Sequence, residues 1–148
     1  MATTLRASTK RLLEPAFEEL GFIVRYPSFR RKRDDRLELV ILQHDKWGGG
    51  FFLEFAKFDS GDLHTSWGEI VPEAEIEVGH TDPATRARLL ATPDKNGSPD
   101  CYFRYESFAK DRTKCDELVK QVIELLPQIT AWFERGEVGP NIASFTNP

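Results

Sequence analysis

Two apolar, strand-like segments joined by a glycine-rich turn constrain the fold of this sequence more than any other feature. Residues 36–43 and 51–58 are rich in Leu, Ile, Val and Phe, and the turn from His44 to Gly50 ends in three consecutive glycines. This pattern predicts one long β-hairpin with positive backbone torsions at the glycines. Strand-like residues rather than a helix follow the glycines, which favours turn chemistry over a phosphate-binding loop. Because both strands are apolar, we expect each sheet face to be at least partly covered.

The residues before the hairpin predict a helix followed by a short strand. Apolar side chains recur at helical spacing over residues 5–20, and Gly21 is expected to end the helix in a Schellman cap. Pro15 leaves two alternatives, since the helix either kinks there or begins there at its first position. Residues 22–26 predict a strand that ends at Pro27, because proline cannot donate a ladder hydrogen bond.

The clearest helix prediction lies in the last third of the chain. Thr113 with Asp116 three residues later has the pattern of a capping box, and apolar residues follow at helical spacing. Pro127 lacks the N–H for a helical hydrogen bond, so we expect the helix to bend there and to end at Gly136. Residues 137–148 show no periodicity and predict an extended tail.

The region between the hairpin and the long helix gives weaker signals. Residues 66–71 predict a short strand, and residues 73–78 alternate acidic and apolar side chains as in an edge strand or an extended loop. Asp82 followed by proline predicts the cap of a short helix over residues 83–91. A surface loop over residues 94–99 and an alternating strand over residues 101–106 complete the region.

Together these elements predict one α+β domain spanning residues 1–148. We expect an antiparallel sheet built on the central hairpin and covered mainly on one face by the N- and C-terminal helices. A chain of 148 residues is long enough for one domain with a substantial core and short for two. The tail, residues 137–148, is expected to lie on this domain as a strap anchored by Ile142 or Phe145.

The composition predicts a cytoplasmic protein. No apolar run approaches the roughly 20 residues needed to cross a bilayer, and the N-terminus lacks an export signal. In a reducing compartment Cys101 and Cys115 are expected to be free thiols. The three histidines, His44, His64 and His80, lack the spacing of a metal site, so we predict neither a metal nor a cofactor.

Charge is segregated along the chain. Between residues 25 and 36 six basic side chains face two aspartates, a net charge of +4. Between residues 54 and 82 eight carboxylates face one lysine, a net charge of −7. Segregated charge bears on the choice of partners rather than on the fold.

The leading functional hypothesis is a non-catalytic protein-binding module. A basic strand edge and a Trp-Gly turn would contact a protein partner, because tryptophan flanked by basic residues is typical of interface hot spots. Trp47 could instead belong to the core, and the sequence leaves this open. The contact residues of this hypothesis are Phe29, Arg30, Arg31, Lys32, Arg33, Lys46 and Trp47.

Two alternatives compete with protein binding. A hydrolase-type enzyme would use Cys115, near the start of the long helix where a thiol pKa can fall, or a histidine beside an acid. A nucleic-acid-binding protein would contact phosphates through Arg30 to Arg33 and stack bases on Phe29 and Trp47. For nucleic acid we expect only weak, nonspecific binding, because two aspartates directly follow the basic residues.

Several short motifs follow one another along the chain. They are Leu20-Gly21-Phe22, Phe29-Arg30-Arg31, Leu42-Gln43, Lys46-Trp47-Gly48-Gly49 followed by Phe51, Arg86-Ala87-Arg88-Leu89, and Tyr102-Phe103. In this order the motifs resemble a bacterial family known as domain-of-unknown-function family 4304, over roughly residues 10 to 106. The resemblance implies a small α+β domain and no established activity, and hence supports the fold prediction while leaving the function open.

Overall fold

A seven-stranded antiparallel sheet is the centre of the computed structural model, which describes residues 3–59, 61–92 and 99–144. The strands are β1 (Ile23–Arg25), β2 (Ser28–Arg33), β3 (Arg36–His44), β4 (Gly50–Asp59), β5 (Leu63–His64), β6 (Ile70–Val71), β7 (Ala87–Leu89), β8 (Phe103–Arg104) and β9 (Ile142–Ser144). The strand order is β1-β2-β3-β4-β7-β9, and β8 pairs with β4 beyond the end of β7. A separate pair, β5 and β6, forms a small second sheet. The predicted α+β class with a central hairpin, now β3 and β4, is confirmed.

The N-terminal helix is continuous through Pro15. It comprises α1 (Thr3–Ser8), a π-helical segment (Thr9–Leu13) and α2 (Glu14–Glu19). In the wider π turn the N–H at position 14 donates to the carbonyl of residue 9, directly before the proline that has no N–H to donate. Of the two alternatives for Pro15, the structure therefore shows a proline inside a helix and not at its start.

The predicted Schellman cap ends this helix. Gly21 has a φ of 92°, its N–H donates to the carbonyl of Glu18 at 2.9 Å, and the N–H of Phe22 donates to that of Phe17 at 3.0 Å. The rings of Phe17 and Phe22 then meet edge to face with centroids 5.2 Å apart. This cap turns the chain directly from α2 into β1.

The long C-terminal helix, α3, spans Arg112–Arg135 and begins one residue before Thr113, the predicted cap. Asp111 is its N-cap and accepts a hydrogen bond from the N–H of Lys114 at 3.1 Å. The prediction that Thr113 caps the helix is therefore wrong, because Asp111, two residues earlier, is the N-cap. Gly136 ends the helix as expected, with a φ of 68°. None of the helices in the described ranges is long and apolar enough to span a membrane.

The face of the sheet that the helices cover holds the larger core. The register aligns Phe29 of β2, Val40 of β3 and Phe55 of β4 side by side, and all three are buried. Phe29 stacks on Phe17 of α2 with centroids 4.1 Å apart, and Phe55 meets Trp132 of α3 edge to face at 5.0 Å. The prediction of a sheet covered mainly on one face by the terminal helices is confirmed.

The opposite face is covered by irregular chain that follows β4. Two 3-10 turns, Glu73–Glu75 and Val78–His80, lie in this segment, and of the two alternatives for residues 73–78 the structure shows the loop. The predicted strand over residues 66–71 is reduced to β6, which pairs with β5. A smaller core cluster forms beneath the segment from Leu37, Leu39, Val71, Ile76 and Val78.

The predicted helix over residues 83–91 is wrong. Asp82 does cap a helical turn, and its side chain accepts from the N–H of Ala84, but this 3-10 turn ends at Thr85. The chain then forms β7, in which Ala87 and Leu89 are buried. An open edge of β4 provides backbone partners for these residues, so sheet pairing prevails over the local helix signal.

The last segments of the chain complete the sheet. Of the predicted strand over residues 101–106, only residues 103 and 104 form a strand, β8. It pairs with β4 of the hairpin, as expected. The described part of the tail, residues 137–144, ends in β9, which pairs with β7 as an edge strand, and Ile142 anchors it at 8 % exposure. Phe145, the other predicted anchor, lies outside the described residues, as do residues 94–98 of the predicted loop over residues 94–99. Pro99, the last residue of that loop, begins a 3-10 turn, Pro99–Cys101.

Candidate functional site

The basic segment that was expected at a sheet edge lies in β2, between β1 and β3. β1 pairs only with Ser28, Phe29 and Arg30, whereas β3 pairs with the whole of β2, so the segment is internal at its start and has β3 as its paired neighbour from Arg31 to Arg33. Phe29 is 1 % exposed within the helix-covered core, so it cannot stack on a partner or on a base. The prediction that Phe29 contacts a partner is therefore wrong. Its neighbours along β2 are basic, which hid its core position in the sequence.

Arg31 is also not part of an exposed binding surface, contrary to the prediction. Its side chain is buried, and its Nε donates to Oε1 of Glu38 at 2.7 Å. Its Nη1 donates to the carbonyl of Leu20 at 2.7 Å, and its guanidinium lies 4.6 Å from the ring centroid of Phe22. The residue is thus a structural link between α2 and the sheet and not a contact for a partner.

Arg30 and Lys32 bind the acidic segment of the same chain. The guanidinium of Arg30 donates to the carbonyls of Glu73 and Ala74, each at 2.7 Å. Lys32 forms an ion pair with the Glu73 carboxylate at 2.9 Å, which together with the N–H of Gly61 lowers the pKa of that carboxyl. The charge segregation in the sequence therefore has an internal role, since the basic strand holds the acidic segment against the sheet.

Trp47 lies at the far end of the hairpin from the basic residues. Arg33 pairs with Arg36 at the start of β3, and the eight residues to His44 extend roughly 26 Å. Trp47 is 83 % exposed in the turn beyond, and Lys46 holds its Nζ 5.3 Å from the indole centroid. Trp47 is therefore outside the core. The predicted contact residues form two separate groups, with Lys46 and Trp47 at one end of the hairpin and the basic residues of β2 at the other.

An ion-pair network supports the turn that presents Trp47. Asp45 accepts from the N–H of Trp47 at 3.1 Å and from Nη1 of Arg104 at 2.8 Å. Arg104 also pairs with Glu106. The hydrogen bonds from Arg104 and from the Trp47 backbone hold the pKa of Asp45 below its usual range. Sequence analysis missed this role of Arg104, because no local pattern connects β8 to the hairpin turn.

Cys115 lacks the features of a catalytic nucleophile. Its side chain is 0 % exposed, and burial, followed by the charges of Asp111 and Asp116, raises the pKa of its thiol. The thiol lies 3.6 Å from the carbonyl of Phe108. Both cysteines are free, as predicted, and the hydrolase hypothesis loses its thiol candidate because an activated cysteine needs a lowered pKa and access.

Among the residues that the structure describes, no histidine forms an ion pair with an acid. Asp45 binds Arg104 rather than His44, and burial lowers the pKa of His44. Nδ1 of His80 accepts from the N–H of Glu77 at 2.9 Å, which closes a 3-10 turn. No group of three or more His, Cys, Asp or Glu side chains that could hold a metal ion occurs within residues 3–59, 61–92 and 99–144.

Comparison with known proteins identifies the family. The model of the family described as a domain of unknown function (DUF4304) matches residues 13–135. The chain belongs to this family. No curated protein and no solved structure matches the chain. The resemblance inferred from the sequence motifs is confirmed, and the family description assigns no activity to its members.

Proposed function

We propose that this protein is a non-catalytic protein-binding module whose contact surface centres on the turn formed by residues 45–49. The observation that supports this function is the exposure of Trp47, a large apolar side chain that is 83 % exposed. It lies on a turn in which the backbone N–H of Trp47 donates to the carboxylate of Asp45. The partner that fits is a protein offering an apolar pocket for the indole, with a carboxylate at the rim for Lys46.

The energetics of a single tryptophan are sufficient to anchor such a contact. Burying a tryptophan side chain removes about 150–250 Å² of surface from water, which contributes about 4 to 6 kcal/mol before the costs of association. Lys46 adds a cation beside the ring, and it forms no ion pair among the described residues. A neighbouring carboxylate on the partner would meet this charge.

The network below the turn reduces the entropic cost of binding. Asp45 fixes the Trp47 backbone from one side, and Arg104 ties Asp45 to β8 and to Glu106. A loop that is ordered before binding loses less conformational freedom when a partner docks. The tryptophan is therefore displayed from a preorganised support and not from a flexible loop.

The basic residues of β2 lie outside this contact surface. Arg30 and Lys32 hold the acidic segment, and Arg33 forms an exposed pair with Glu134 at 2.8 Å. A nucleic-acid surface has less support than a protein-binding one, since Phe29, one of the two side chains expected to stack on bases, is buried.

The test compares two exposed tryptophans that both precede a glycine. Immobilised wild type, Trp47→Ala and Trp67→Ala would be incubated with lysate of the organism that makes the protein, and the bound proteins quantified by mass spectrometry. Trp67 is 74 % exposed and lies in the turn between β5 and β6, so its variant is a matched control.

We expect a protein that wild type and Trp67→Ala retain and that Trp47→Ala loses. With the purified partner, Trp47→Ala should weaken binding by about 30-fold or more, equivalent to 2 kcal/mol or more for a hot-spot residue. Equal capture by all three proteins, with unchanged melting temperatures, would reject the turn as the contact surface.

A further inference from the structure

A second exposed tryptophan lies on the small hairpin formed by β5 and β6. The register pairs Leu63 with Val71 and His64 with Ile70, and successive side chains of a strand point to opposite faces. Leu63 and Val71 pack in the smaller core cluster, whereas Ile70, on the outer face, is 57 % exposed. Trp67, in the turn, is 74 % exposed. The hairpin therefore presents two large apolar side chains to solvent.

The turn between β5 and β6 holds the Trp67 side chain in a defined position. The N–H of Thr65 donates to the carbonyl of Glu69, and the N–H of Glu69 donates to Oγ1 of Thr65, each at 2.9 Å. Nε1 of Trp67 donates to Oε2 of Glu69 at 3.0 Å. A tryptophan N–H needs an acceptor when its ring is buried, and Glu69 already provides one. A partner can therefore cover the ring without supplying that acceptor.

Carboxylates surround this hairpin. Glu69 lies in the turn, and at the base of the hairpin the Asp62 carboxylate accepts from the N–H of Glu73 at 3.0 Å. Asp59 and Asp82 line a cleft beside β5. Residues 59–82 contain seven Asp or Glu side chains and no Lys or Arg. The apolar surface of the hairpin is therefore set in a negatively charged segment.

The cations that hold this segment bind mainly its backbone. Arg30 donates to the carbonyls of residues 73 and 74, and Arg86 donates to those of residues 79 and 81. Lys32 pairs with the carboxylate of Glu73. The four carboxylates around the hairpin that form no ion pair within residues 3–59, 61–92 and 99–144 are Asp59, Asp62, Glu69 and Asp82.

The two exposed tryptophans differ in the charge beside the indole. Lys46 holds its Nζ 5.3 Å from the Trp47 ring centroid, whereas a carboxylate oxygen of Glu69 lies 3.0 Å from Nε1 of Trp67. Opposite charges attract across an interface and like charges repel. The Trp67 surface therefore favours a partner with positive charge next to apolar groups, and it repels the phosphates of a nucleic acid.

We propose that the outer face of the β5–β6 hairpin docks a basic protein segment in which Lys or Arg is interspersed with apolar residues. The apolar side chains pack on Trp67 and Ile70, and the cations meet the surrounding carboxylates, with Glu69 nearest to the ring. This inference does not depend on the proposed function of the Trp47 turn, because the two surfaces lie on separate hairpins and select opposite charges. Failure of one surface to bind leaves the result for the other intact.

Titration of the isotope-labelled full chain, followed by amide and indole N–H chemical shifts, tests this surface. The probe is a short peptide of Lys-Leu-Gly repeats. A peptide of Glu-Leu-Gly repeats reverses the charge, and one of Lys-Ser-Gly repeats removes the apolar side chains. We expect the Lys-Leu-Gly peptide to shift the amides of residues 63–71 and the indole N–H of Trp67 saturably. The Glu-Leu-Gly peptide should leave these signals unchanged, and the Lys-Ser-Gly peptide should bind at least about tenfold more weakly.

Two pairs of variants identify the groups that bind. Trp67→Ala should weaken binding of the Lys-Leu-Gly peptide about tenfold or more, whereas Trp47→Ala should bind as wild type does. Glu69→Gln keeps an oxygen acceptor for the indole N–H and removes only the charge, so binding should weaken about two- to fivefold. Glu134→Gln makes the same change of charge on α3 and should leave binding unaltered.

The same spectra report whether each variant is folded. Absence of saturable shifts with the Lys-Leu-Gly peptide, equal binding of the Glu-Leu-Gly peptide, or unchanged binding by folded Trp67→Ala would overturn the proposal. Equal binding of the Lys-Ser-Gly peptide would overturn the apolar contact, and unchanged binding by Glu69→Gln would overturn the role of charge. Loss of binding in Trp47→Ala would assign the peptide to the other turn and likewise reject this surface.

Discussion

Arg31 donates from its Nε to Oε1 of Glu38 at 2.7 Å, across directly opposed positions of β2 and β3. The carboxylate is 0 % exposed, and its other oxygen binds Arg36 at 2.7 Å. Arg31 belongs to the basic strand edge that the sequence predicted as a contact surface, and Arg36 is the first residue of β3. Because both arginines bind the buried carboxylate of Glu38, they belong to an internal structural network rather than to a free surface patch.

Neutralising this carboxylate should strongly destabilise the fold. Glu38→Gln leaves the buried cations without a counter-charge, and we expect the free energy of unfolding to fall by about 3 to 5 kcal/mol. Glu134→Gln, which removes only exposed pairs, with Arg33 and Arg135, should cost less than about 1 kcal/mol. Urea denaturation of both variants measures the difference. Similar small losses in the two variants would contradict a structural role for the buried network.

The internal role of Arg30 predicts a local effect on dynamics. Arg30→Met removes the donors to the carbonyls of Glu73 and Ala74, so amide hydrogen exchange at residues 73–78 should accelerate. Lys32→Met removes only an exposed ion pair with Glu73 and should change exchange there much less. Unaltered exchange in Arg30→Met would show that apolar packing alone holds the segment.

Two adjacent glycines in the Trp47 turn should respond differently to alanine. Gly48 and Gly49 have φ of 81° and 79°, so alanine at either position carries the strain of a left-handed conformation, about 1 to 2 kcal/mol. A Cβ at Gly48 meets open space, whereas one at Gly49 would clash with Glu106 and approach Arg104. Gly49→Ala should therefore have a clearly lower melting temperature than Gly48→Ala. Equal melting temperatures of the two variants would show that the side chains of Arg104 and Glu106 move aside at little cost.

The burial of Cys115 predicts protection from thiol reagents. With Cys101→Ser as background, labelling of the remaining thiol near neutral pH should be slow in the native state and rapid after unfolding, because burial raises the thiol pKa and blocks access. Cys115→Ser in the same assay isolates the partly exposed Cys101 as the faster control. Prompt stoichiometric labelling of native Cys115 would restore the nucleophile hypothesis.

Features that depend on neighbouring residues were predictable from the sequence. The hairpin, the Schellman cap at Gly21 and the end of α3 at Gly136 follow from periodicity and glycine chemistry, and each appears within about a residue of its predicted place. Local sequence is sufficient for these elements because their hydrogen bonds connect residues that are close in the chain.

Features that depend on distant partners were not predictable. β7 exists because β4 offers it an open edge, and residues 87–89 alone do not reveal that edge. The burial of Phe29 and Arg31 likewise requires α2 and Glu38 to be in place. Of the candidate site, the turn that contains Trp47 could be predicted, but the sequence left open whether Trp47 is exposed. Arg104, which supports the turn, comes from a different part of the chain.

The position of His44 predicts how stability changes with pH. Burial lowers the pKa of His44, whereas in the unfolded chain histidine titrates near its ordinary value of about 6.5. The unfolded state then binds the proton more readily, so the stability from neutral His44 is present above about pH 6.5 and is lost as the pH falls through the lower folded pKa. In urea unfolding at pH 7.5 and at pH 5, wild type should lose more stability than His44→Gln. His64→Gln, in β5 of the small second sheet, is the comparison variant and should follow wild type. An identical loss in wild type and His44→Gln would show that acid destabilisation arises elsewhere.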